Sequence, residues 1–406
     1  MTSLPIGAVA VLIIILYLKI SRKNNAAGHS IWHRVKQLDL IGASILVPGI
    51  VMLLLALQWG GTEYAWSNSR IIGLFVGFAL AIILFIGVQY RLGEAGTFPP
   101  RVVKNRNVIS AMLFSFFFGA GFFALIFYIA IYFQSIKGSS ATKSGIEILP
   151  LLLAVVVSSI VVGGLITKIG YYTPFLIFSM VLFSIGSGLI STYDVHTPMG
   201  KWFGYQVIAG AGIGVGFQGG LLVVQTVLPL VDVPIGTTCV TFCQQLGGAL
   251  FVSVAQTAFA NGLIDGLKQN APNLPPALFI NSGATSIRGI LKDMDAMDQL
   301  ESVLKAYARG LQNCFYISMA CALAALIAAC TMQWRSIKKG HGQNKPKDEE
   351  EAAASDFATP TTTVEGQSLH PGLEKSAEGV LGNGAVEDPD KAKAIGETIP
   401  AREETL

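Results

Sequence analysis

Residues 202–262 set the strongest limit on what this chain can fold into, because they hold two apolar runs joined by a short turn. An apolar run of about 20 residues is long enough to cross a bilayer as a helix. Glycine costs a helix in water about 1 kcal/mol per residue, but small residues in a bilayer let neighbouring helices approach closely. The stretch therefore predicts a tightly packed membrane bundle. The glycines expected to pack helices are Gly210, Gly212, Gly214, Gly247 and Gly248.

Four glutamines in the same stretch are the first candidates for a substrate path. Gln206 and Gln218 are twelve residues apart, a third of a turn at about 100° per residue, so both can point inward if the bundle surrounds a wet cavity. Gln244 and Gln245 are adjacent and point about 100° apart, so at most one of them faces a cavity. Uncharged amides suit a pathway for bulky organic molecules.

Composition places the whole chain in the same class. It is 52% hydrophobic and 13% charged, against about 25% charged residues in soluble domains. The net charge of +3 is spread through loops and tail, so no nucleic-acid partner is predicted. All five cysteines lie in apolar runs, where free cysteine behaves as a small hydrophobe. The sequence therefore predicts a polytopic protein in a lipid bilayer, without a disulfide framework or a metal site.

Hydropathy predicts nine transmembrane helices in an all-α fold. Outside the pair in 202–262, the predicted spans are 5–20, 40–58, 71–89, 108–133, 146–167, 174–190 and 315–334. Composition shifts divide the chain into four parts: 1–39, the first span with a basic loop; 40–90, two linker helices; 91–340, a six-helix unit; and 341–406, a tail. The tail is rich in Glu, Ala, Pro, Thr and Gly, and is predicted to be disordered.

The basic residues of the short loops predict the orientation. The loops after the first and third spans hold four basic residues each, whereas the loops after the second, fourth and sixth spans contain few basic residues. Loops rich in Lys and Arg stay in the cytoplasm. Met1 is therefore predicted outside and the tail inside. The long connection 263–312, with its amphipathic VLKAYARGL stretch, is predicted to lie outside.

The residues and motifs that the sequence lacks exclude several classes of function. No histidine lies inside a predicted span, and the nearest acids, including Glu147 and Asp194, sit at span ends or in loops. An intramembrane carboxylate or histidine is the usual proton relay, and the predicted spans contain none. No Walker A lysine motif, HExxH or GxSxG is present, so ATP hydrolysis, metalloprotease and hydrolase activities lack support. The sequence predicts no enzyme and no cofactor.

Several segments together resemble the fungal fourteen-helix drug:proton antiporters of the major facilitator superfamily. They are LPIGAVAVLIIILYLKI, LDLIGASILVPGIVMLLLALQWGGTEYAW, YFQSIKGSSATKSGIEILPLLL, GYQVIAGAGIGVGFQ and FCQQLGGALFVSVAQ. The resemblance runs from residue 4 to about residue 339 and matches the family's helices six to fourteen. GGLITKIGYYTPF occupies the place of a family loop motif, but only Gly164, Lys168 and Gly170 match it. The family's first five helices, with their acidic-loop and glycine-proline motifs, have no counterpart here.

The resemblance implies a transporter that exports small hydrophobic drugs, toxins or secondary metabolites by proton antiport, with alternating access between two halves. Among the phenylalanines around the predicted fourth span, Phe118 and Phe122 are the candidates for lining an aromatic pocket. The plasma membrane is the expected location, with the vacuolar membrane as the alternative.

A second hypothesis from a different class is a truncated or mis-predicted gene product without transport of its own. On the transporter hypothesis, truncation is expected to impair transport, so activity is expected to need self-association or an N-terminal half supplied separately. An ion channel lacks support, because no filter motif or charged ring is present.

Overall fold

The computed structural model describes Gly7 and residues 39–334, apart from residues 62, 273, 276, 277 and 280–286. The predicted first span at 5–20 and the predicted disordered tail at 341–406 lie outside the described residues. Within these ranges the fold is all-α, which confirms the predicted fold class. In the described part of the chain, eight helices are long and apolar enough to cross a membrane. The division of the chain into four parts stays a prediction.

Eleven α-helices are described, and three of them are short. In chain order they are α1 (Leu40–Trp59), α2 (Ser69–Leu92), α3 (Pro100–Val103), α4 (Arg106–Ser135), α5 (Ala141–Glu147), α6 (Leu149–Ile169), α7 (Thr173–Ile190), α8 (Met199–Val227), α9 (Val233–Asn270), α10 (Ile287–Asp293) and α11 (Leu300–Cys330). Single 3₁₀ turns follow α2 and precede α11.

Helices α4 and α8 form the packed centre of the bundle. Helix α4 contacts α8, α9 and α11, while α8 also packs against α6 and α7. The buried residues of α4 cover most of the helix surface and include Phe114, Leu125 and Tyr132, while Ile109, Leu113 and Phe127 are exposed on one face. A helix that is apolar on every side belongs in the interior of a bundle. By contrast, α6 buries only Leu151 and Ile166, so most of its surface is open.

Helices α1 and α2 form a hairpin that rests against α9. Asp39 caps α1 by accepting a hydrogen bond from the backbone N–H of Gly42 at 2.7 Å. The same carboxylate accepts from the backbone N–H of Thr97 at 3.1 Å and from the Thr97 hydroxyl at 2.8 Å. It also accepts from the side-chain amide of Gln89. One acid therefore connects the start of α1 to the segment that follows α2.

The last membrane helix begins earlier than the sequence predicts. Helix α11 starts at Leu300, so the amphipathic VLKAYARGL stretch belongs to the first half of this helix and not to the connection between the last two spans. Val303, Ala306 and Tyr307 are buried on one face of this stretch. A Cβ added to Gly266 of α9 would touch Ala306, which shows how closely the two helices approach. The polar residues of the stretch stay on the opposite face, and burial of the apolar face extends the helix.

The predicted fifth span, 146–167, is divided at Ile148 into α5 and α6. Pro150 occupies the first turn of α6. Because proline lacks an N–H and clashes with the preceding turn, a continuous helix through this point is disfavoured. The break leaves Glu147 as the last residue of α5, inside the membrane-length segment Ala141–Ile169. Glu147 therefore lies at a helix end, directly before the apolar helix α6, which agrees with its predicted place at the end of a span.

Candidate functional site

The predicted packing glycines lie where helices approach each other most closely. A Cβ at Gly210 would collide with Leu151 of α6, and one at Gly212 would collide with the backbone of Phe183 in α7. A Cβ at Gly214 would meet Val155 and Ser158 of α6. On α9, Gly247 touches Phe116 and Gly248 touches Phe123, both on α4. These glycines hold α8 and α9 against their neighbours, which fixes the positions of the candidate path residues.

The four predicted path glutamines do not come together. Gln206 is fully buried, with an exposed fraction of 0%. Gln218 is exposed, although it lies on the same helix, and Gln225 is exposed on the same face seven residues further on. On α9, Gln244 is half-buried and Gln245 is exposed.

Phe118 and Phe122 lie in a ladder of stacked rings inside the bundle. The centroid of Phe118 is 6.0 Å from Phe114 and 6.2 Å from Phe122, with nearly parallel planes. Phe217 of α8 meets both rings edge-on, at 5.6 Å from Phe118 and 5.0 Å from Phe122. Such arrangements stabilise packed aromatic cores. In this conformation Phe118 and Phe122 are buried. Phe217, which precedes Gln218 on α8, is the partly exposed ring of this group.

An open groove runs between α5, α6 and α8. Its volume is about 790 Å³, within the usual range for small-molecule sites. Its wall is mostly aliphatic and aromatic, with one lysine and one glutamate. The lining residues are Lys143, Ile146, Glu147, Leu149, Pro150, Leu153, Ala154, Val157, Met199, Trp202, Phe203 and Val207. The groove can therefore accept an apolar molecule of drug size.

Gln206 lies beside this groove and is fixed to its wall. Its side-chain N–H donates to the backbone carbonyl of Glu147 at 3.1 Å. The oxygen of the same amide, Oε1, is buried and has no hydrogen-bond partner in the described part of the chain. Oε2 of Glu147 is buried and unpartnered in the same way. Two acceptor oxygens without donors thus lie on residues that contact each other.

Two hydrogen-bond donors near Glu147 and Gln206 form hydrogen bonds with backbone carbonyls. Lys137 donates its Nζ protons to the backbone carbonyls of Val195 and Thr197 at 3.0 and 2.9 Å. The hydroxyl of Tyr193 donates to the carbonyl of Trp202 at 2.8 Å. Burial raises the pKa of Tyr193, and burial lowers the pKa of Lys137 while the nearby acids Glu147 and Asp194 oppose that shift. A hydrogen bond between the side chains of Gln206 and Tyr193 opposes the effect of burial on the pKa of Tyr193.

No cluster of three or more metal-ligating side chains is found among the described residues. The cysteines of α9 and α11 are unpaired, and three of them, Cys239, Cys314 and Cys321, are buried.

The sequence did not indicate the groove, since none of the six predicted path residues is among its lining. Gln206, the nearest of them, lies behind the wall. The sequence feature that could have indicated the groove is Glu147, an acid directly before the apolar run ILPLLLAVVV. Its position at a proline-induced break between two helices could have been noted, but which helix would face it depends on tertiary packing.

Comparison with known proteins gives one family match. Residues 3–147 match the family described as "Fungal trichothecene efflux pump (TRI12)". Among curated relatives, "MFS-type efflux pump MFS1" of Arthroderma benhamiae is 46% identical over 83% of this chain and 62% of its own length. "Efflux pump roqT" of Penicillium rubens is 41% identical over 83% of this chain and 62% of its own length.

The same partial coverage holds for "Efflux pump aflT" of Aspergillus parasiticus, which is 40% identical over 83% of this chain and 65% of its own length. The chain thus spans less than two thirds of the relatives that it matches. Among solved structures, a bacterial homologue of the human lysosomal transporter Spinster, inward-facing and unoccupied, is 15% identical with a TM-score of 0.41. That match covers 73% of this chain and 66% of the bacterial one.

Proposed function

We propose that this chain, which is similar to fungal MFS-type efflux pumps, works in the export of small hydrophobic compounds across a membrane. The observation that supports this proposal most directly is the open apolar groove between α5, α6 and α8. On this proposal the chain is a multi-pass membrane transporter and not an enzyme, and its location is the plasma membrane.

The lining of the groove favours hydrophobic cargo. Trp202 and Phe203 supply aromatic surface, and Leu153, Val157 and Val207 supply aliphatic surface. Burial of apolar area contributes roughly 25 cal/mol per Å², so a lipophilic molecule gains most of its affinity without specific polar contacts. The exposed amides of Gln218 and Gln225 on the same helix can provide hydrogen bonds further along the path.

Proton antiport is the proposed energy source, in line with the family resemblance. Alternating access in this superfamily involves two helical halves that move about a central site. The chain covers about three fifths of its efflux-pump relatives, so we propose that transport needs helices equivalent to the unmatched part of those relatives. Alternatively, we propose that a second copy of this chain supplies the helices that transport needs.

The test is transport in vesicles made from the purified chain. A pH gradient is imposed and the movement of a fluorescent hydrophobic dye is followed, with and without the co-expressed N-terminal part of the Arthroderma relative. Gradient-dependent movement only with the added part is the expected result, and Gln218→Leu should reduce it if this amide lies in the path.

Movement by the chain alone would show that the added part is not required. Absence of movement in both preparations, with folded protein in both, would favour the hypothesis of a membrane protein without transport activity of its own.

A further inference from the structure

The groove between α5, α6 and α8 has charged groups at one end only. Its charged lining residues, Lys143 and Glu147, both belong to α5. The lining residues further along the wall are all apolar, namely Leu149, Pro150, Leu153, Ala154 and Val157. A polar group is costly to bury without a partner, whereas apolar surface gains from burial. The groove therefore fits an amphiphile whose polar group stays at the charged end.

Contacts between the two walls show which parts of the helices face each other. The same offset along the chain relates three pairs of neighbours: Glu147 with Gln206, Leu151 with Gly210, and Val155 with Gly214. The segment formed by α5 and α6 therefore runs in the same direction as α8. By this offset Lys143 lies level with Trp202, so the charged end of the groove is at the start of α8.

The groove is longer than it is deep in polar groups. A helix rises about 1.5 Å per residue, so the wall from Lys143 to Val157 extends over roughly 20 Å. On α8 the lining runs from Met199 to Val207, which is roughly 12 Å at the same rise. An elongated apolar body can therefore lie along α6 while its polar end stays beside α5.

The amine of Lys143 is available to a bound molecule. Its side chain is exposed and lines the groove. In the part of the chain that the structure describes, its Nζ takes part in no ion pair. Glu147 follows one turn later on α5, but the two side chains do not pair. Lys143 can therefore form an ion pair with an anionic group of a bound molecule.

The negative charge of Glu147 is opposed from behind the wall. Burial lowers the pKa of Lys137, and the charges of Glu147 and Asp194 oppose that shift, so Lys137 attracts both acids. Oε2 of Glu147 is buried, with an accessible area below 1 Å², and Asp194 is not part of the lining. No side chain caps the start of α8 at Met199, and the positive end of this helix adds to the charge of Lys143. The charged end therefore favours an anion.

We propose that the groove binds elongated apolar carboxylic acids, with the carboxylate paired to Lys143 and the apolar body along α6. Trp202 and Phe203 cover one side of that body, and Leu153 and Val157 cover the other. A neutral molecule of the same shape binds more weakly, because it lacks the ion pair. This inference rests on the proposed export function and names the class of compound that the groove selects.

Two fluorescent probes that differ only in charge test the proposal. Dansylaminoundecanoic acid has a long apolar body and one carboxylate, and its methyl ester has the same body without the charge. Each is titrated into the full chain in phosphatidylcholine nanodiscs, at mildly alkaline pH so that the acid is ionised. The signal from empty nanodiscs is subtracted. Phosphatidylcholine has no net charge, so no anionic lipid competes for Lys143.

Lys143→Gln should raise the dissociation constant of the acid about fivefold, the effect of a partly exposed ion pair, and leave that of the ester unchanged. High salt should weaken binding of the acid to the wild type, because it screens the ion pair, and have little effect on the variant. Lys201→Gln is the matched control. Lys201 is an exposed lysine in the first turn of α8 that is not part of the lining, so neither probe should bind it differently.

Three results would overturn the proposal. One is an unchanged affinity of the acid in Lys143→Gln. Another is equal weakening of the acid and the ester, which would mean that the lysine supports the shape of the groove. The third is tighter binding of the corresponding amine than of the acid, which would mean that Glu147 sets the charge preference. Because the Lys143 side chain is exposed, the variant should fold and melt like the wild type.

Transport in vesicles separates this inference from the proposed function. If the acid binds through Lys143 and no preparation moves either probe, the binding preference stands and the export function is wrong. If both probes are exported and the affinity of the acid does not depend on Lys143, the export function stands and the class of compound is wrong. With both correct, Lys143→Gln should slow export of the acid and leave export of the ester unchanged.

Discussion

The hydroxyl of Ser159 on α6 donates to the backbone carbonyl of Gly214 on α8 at 2.6 Å. A side-chain hydroxyl can reach a backbone carbonyl of a neighbouring helix only where no side chain separates the two. Ser179 of α7 makes the same type of bond to the carbonyl of Gly212. The two glycines therefore allow α8 to approach a different helix on each of its sides, and hydroxyl groups then bond the exposed backbone.

Gly214→Leu should destabilise the folded chain in detergent. The added side chain would collide with Val155 and Ser158 and would break the Ser159 bond. Overpacking of this kind costs about 1–3 kcal/mol, so folded yield and melting temperature should both fall. Gly204→Leu is the matched control on the same helix, since a Cβ there meets no heavy atom of the described chain within 4 Å. Equal melting of the two variants would contradict the packing role of Gly214.

Most of the helices could be predicted because hydropathy depends on local sequence. The predicted span 40–58 corresponds to Leu40–Trp59, and 174–190 corresponds to Thr173–Ile190. The predicted start of α11, at residue 315, is too far along the chain because Lys305 and Arg309 lower the hydropathy of the residues before it. Its first half is stabilised by contact with α9, which a linear pattern does not contain.

The site could be predicted only in part, because the direction of a side chain depends on its neighbours. Periodicity allows Gln206 and Gln218 to point inward, yet Gln206 is buried and Gln218 is exposed in the structure. Phe118 and Phe122 were predicted as pocket residues, and the facing Phe217 buries their rings in the present conformation. The groove lined by Glu147 could not be predicted, because it forms only where α5, α6 and α8 meet.

Asp39→Ala should loosen the α1–α2 hairpin. The substitution removes the N-cap of α1 and the bonds to Thr97. Loss of an N-cap costs about 1 kcal/mol. Thermal melting in detergent at neutral pH should show a lower midpoint for this variant than for Glu63→Ala, which removes an exposed acid from the turn between α1 and α2. Equal midpoints would mean that the Asp39 bonds do not support the hairpin.

The contribution of Asp39 should also depend on pH. Burial acts to raise the pKa of its carboxyl group, but the hydrogen bonds from Thr97, Gly42 and Gln89 outweigh burial and hold the pKa below its ordinary value. The ordinary pKa of aspartate is about 3.9. A lowered folded pKa adds stability above that value, and this stability is lost as the pH falls through the folded pKa. The melting midpoints of wild type and Asp39→Ala should therefore converge in acid, and a constant difference across that range would contradict the assignment.

The predicted orientation can be checked with a tag at the C-terminus. The basic residues of alternate loops place the tail inside the cell. A tag after Leu406 should therefore resist protease added to intact cells and become accessible after the membrane is permeabilised. A tag inserted between His196 and Thr197, in the loop that joins α7 to α8, should show the opposite behaviour. Digestion of the tail tag with the membrane sealed would reverse the assignment.

Filling the groove should weaken binding of an apolar dye. Leu153 lines the groove and is exposed, so Leu153→Trp adds a large ring to the space without disturbing a buried contact. Ile160→Trp is the control, because Ile160 is exposed on the same face of α6 two turns further on and is not part of the lining. Nile red, a neutral lipophilic fluorophore, is titrated into the chain in lipid nanodiscs, and the signal from empty nanodiscs is subtracted. The dissociation constant should rise about tenfold for Leu153→Trp, equivalent to about 1.4 kcal/mol, and stay unchanged for Ile160→Trp. Equal weakening in both variants would place the dye on the outer surface of α6, and no change in either would exclude the groove as the binding site.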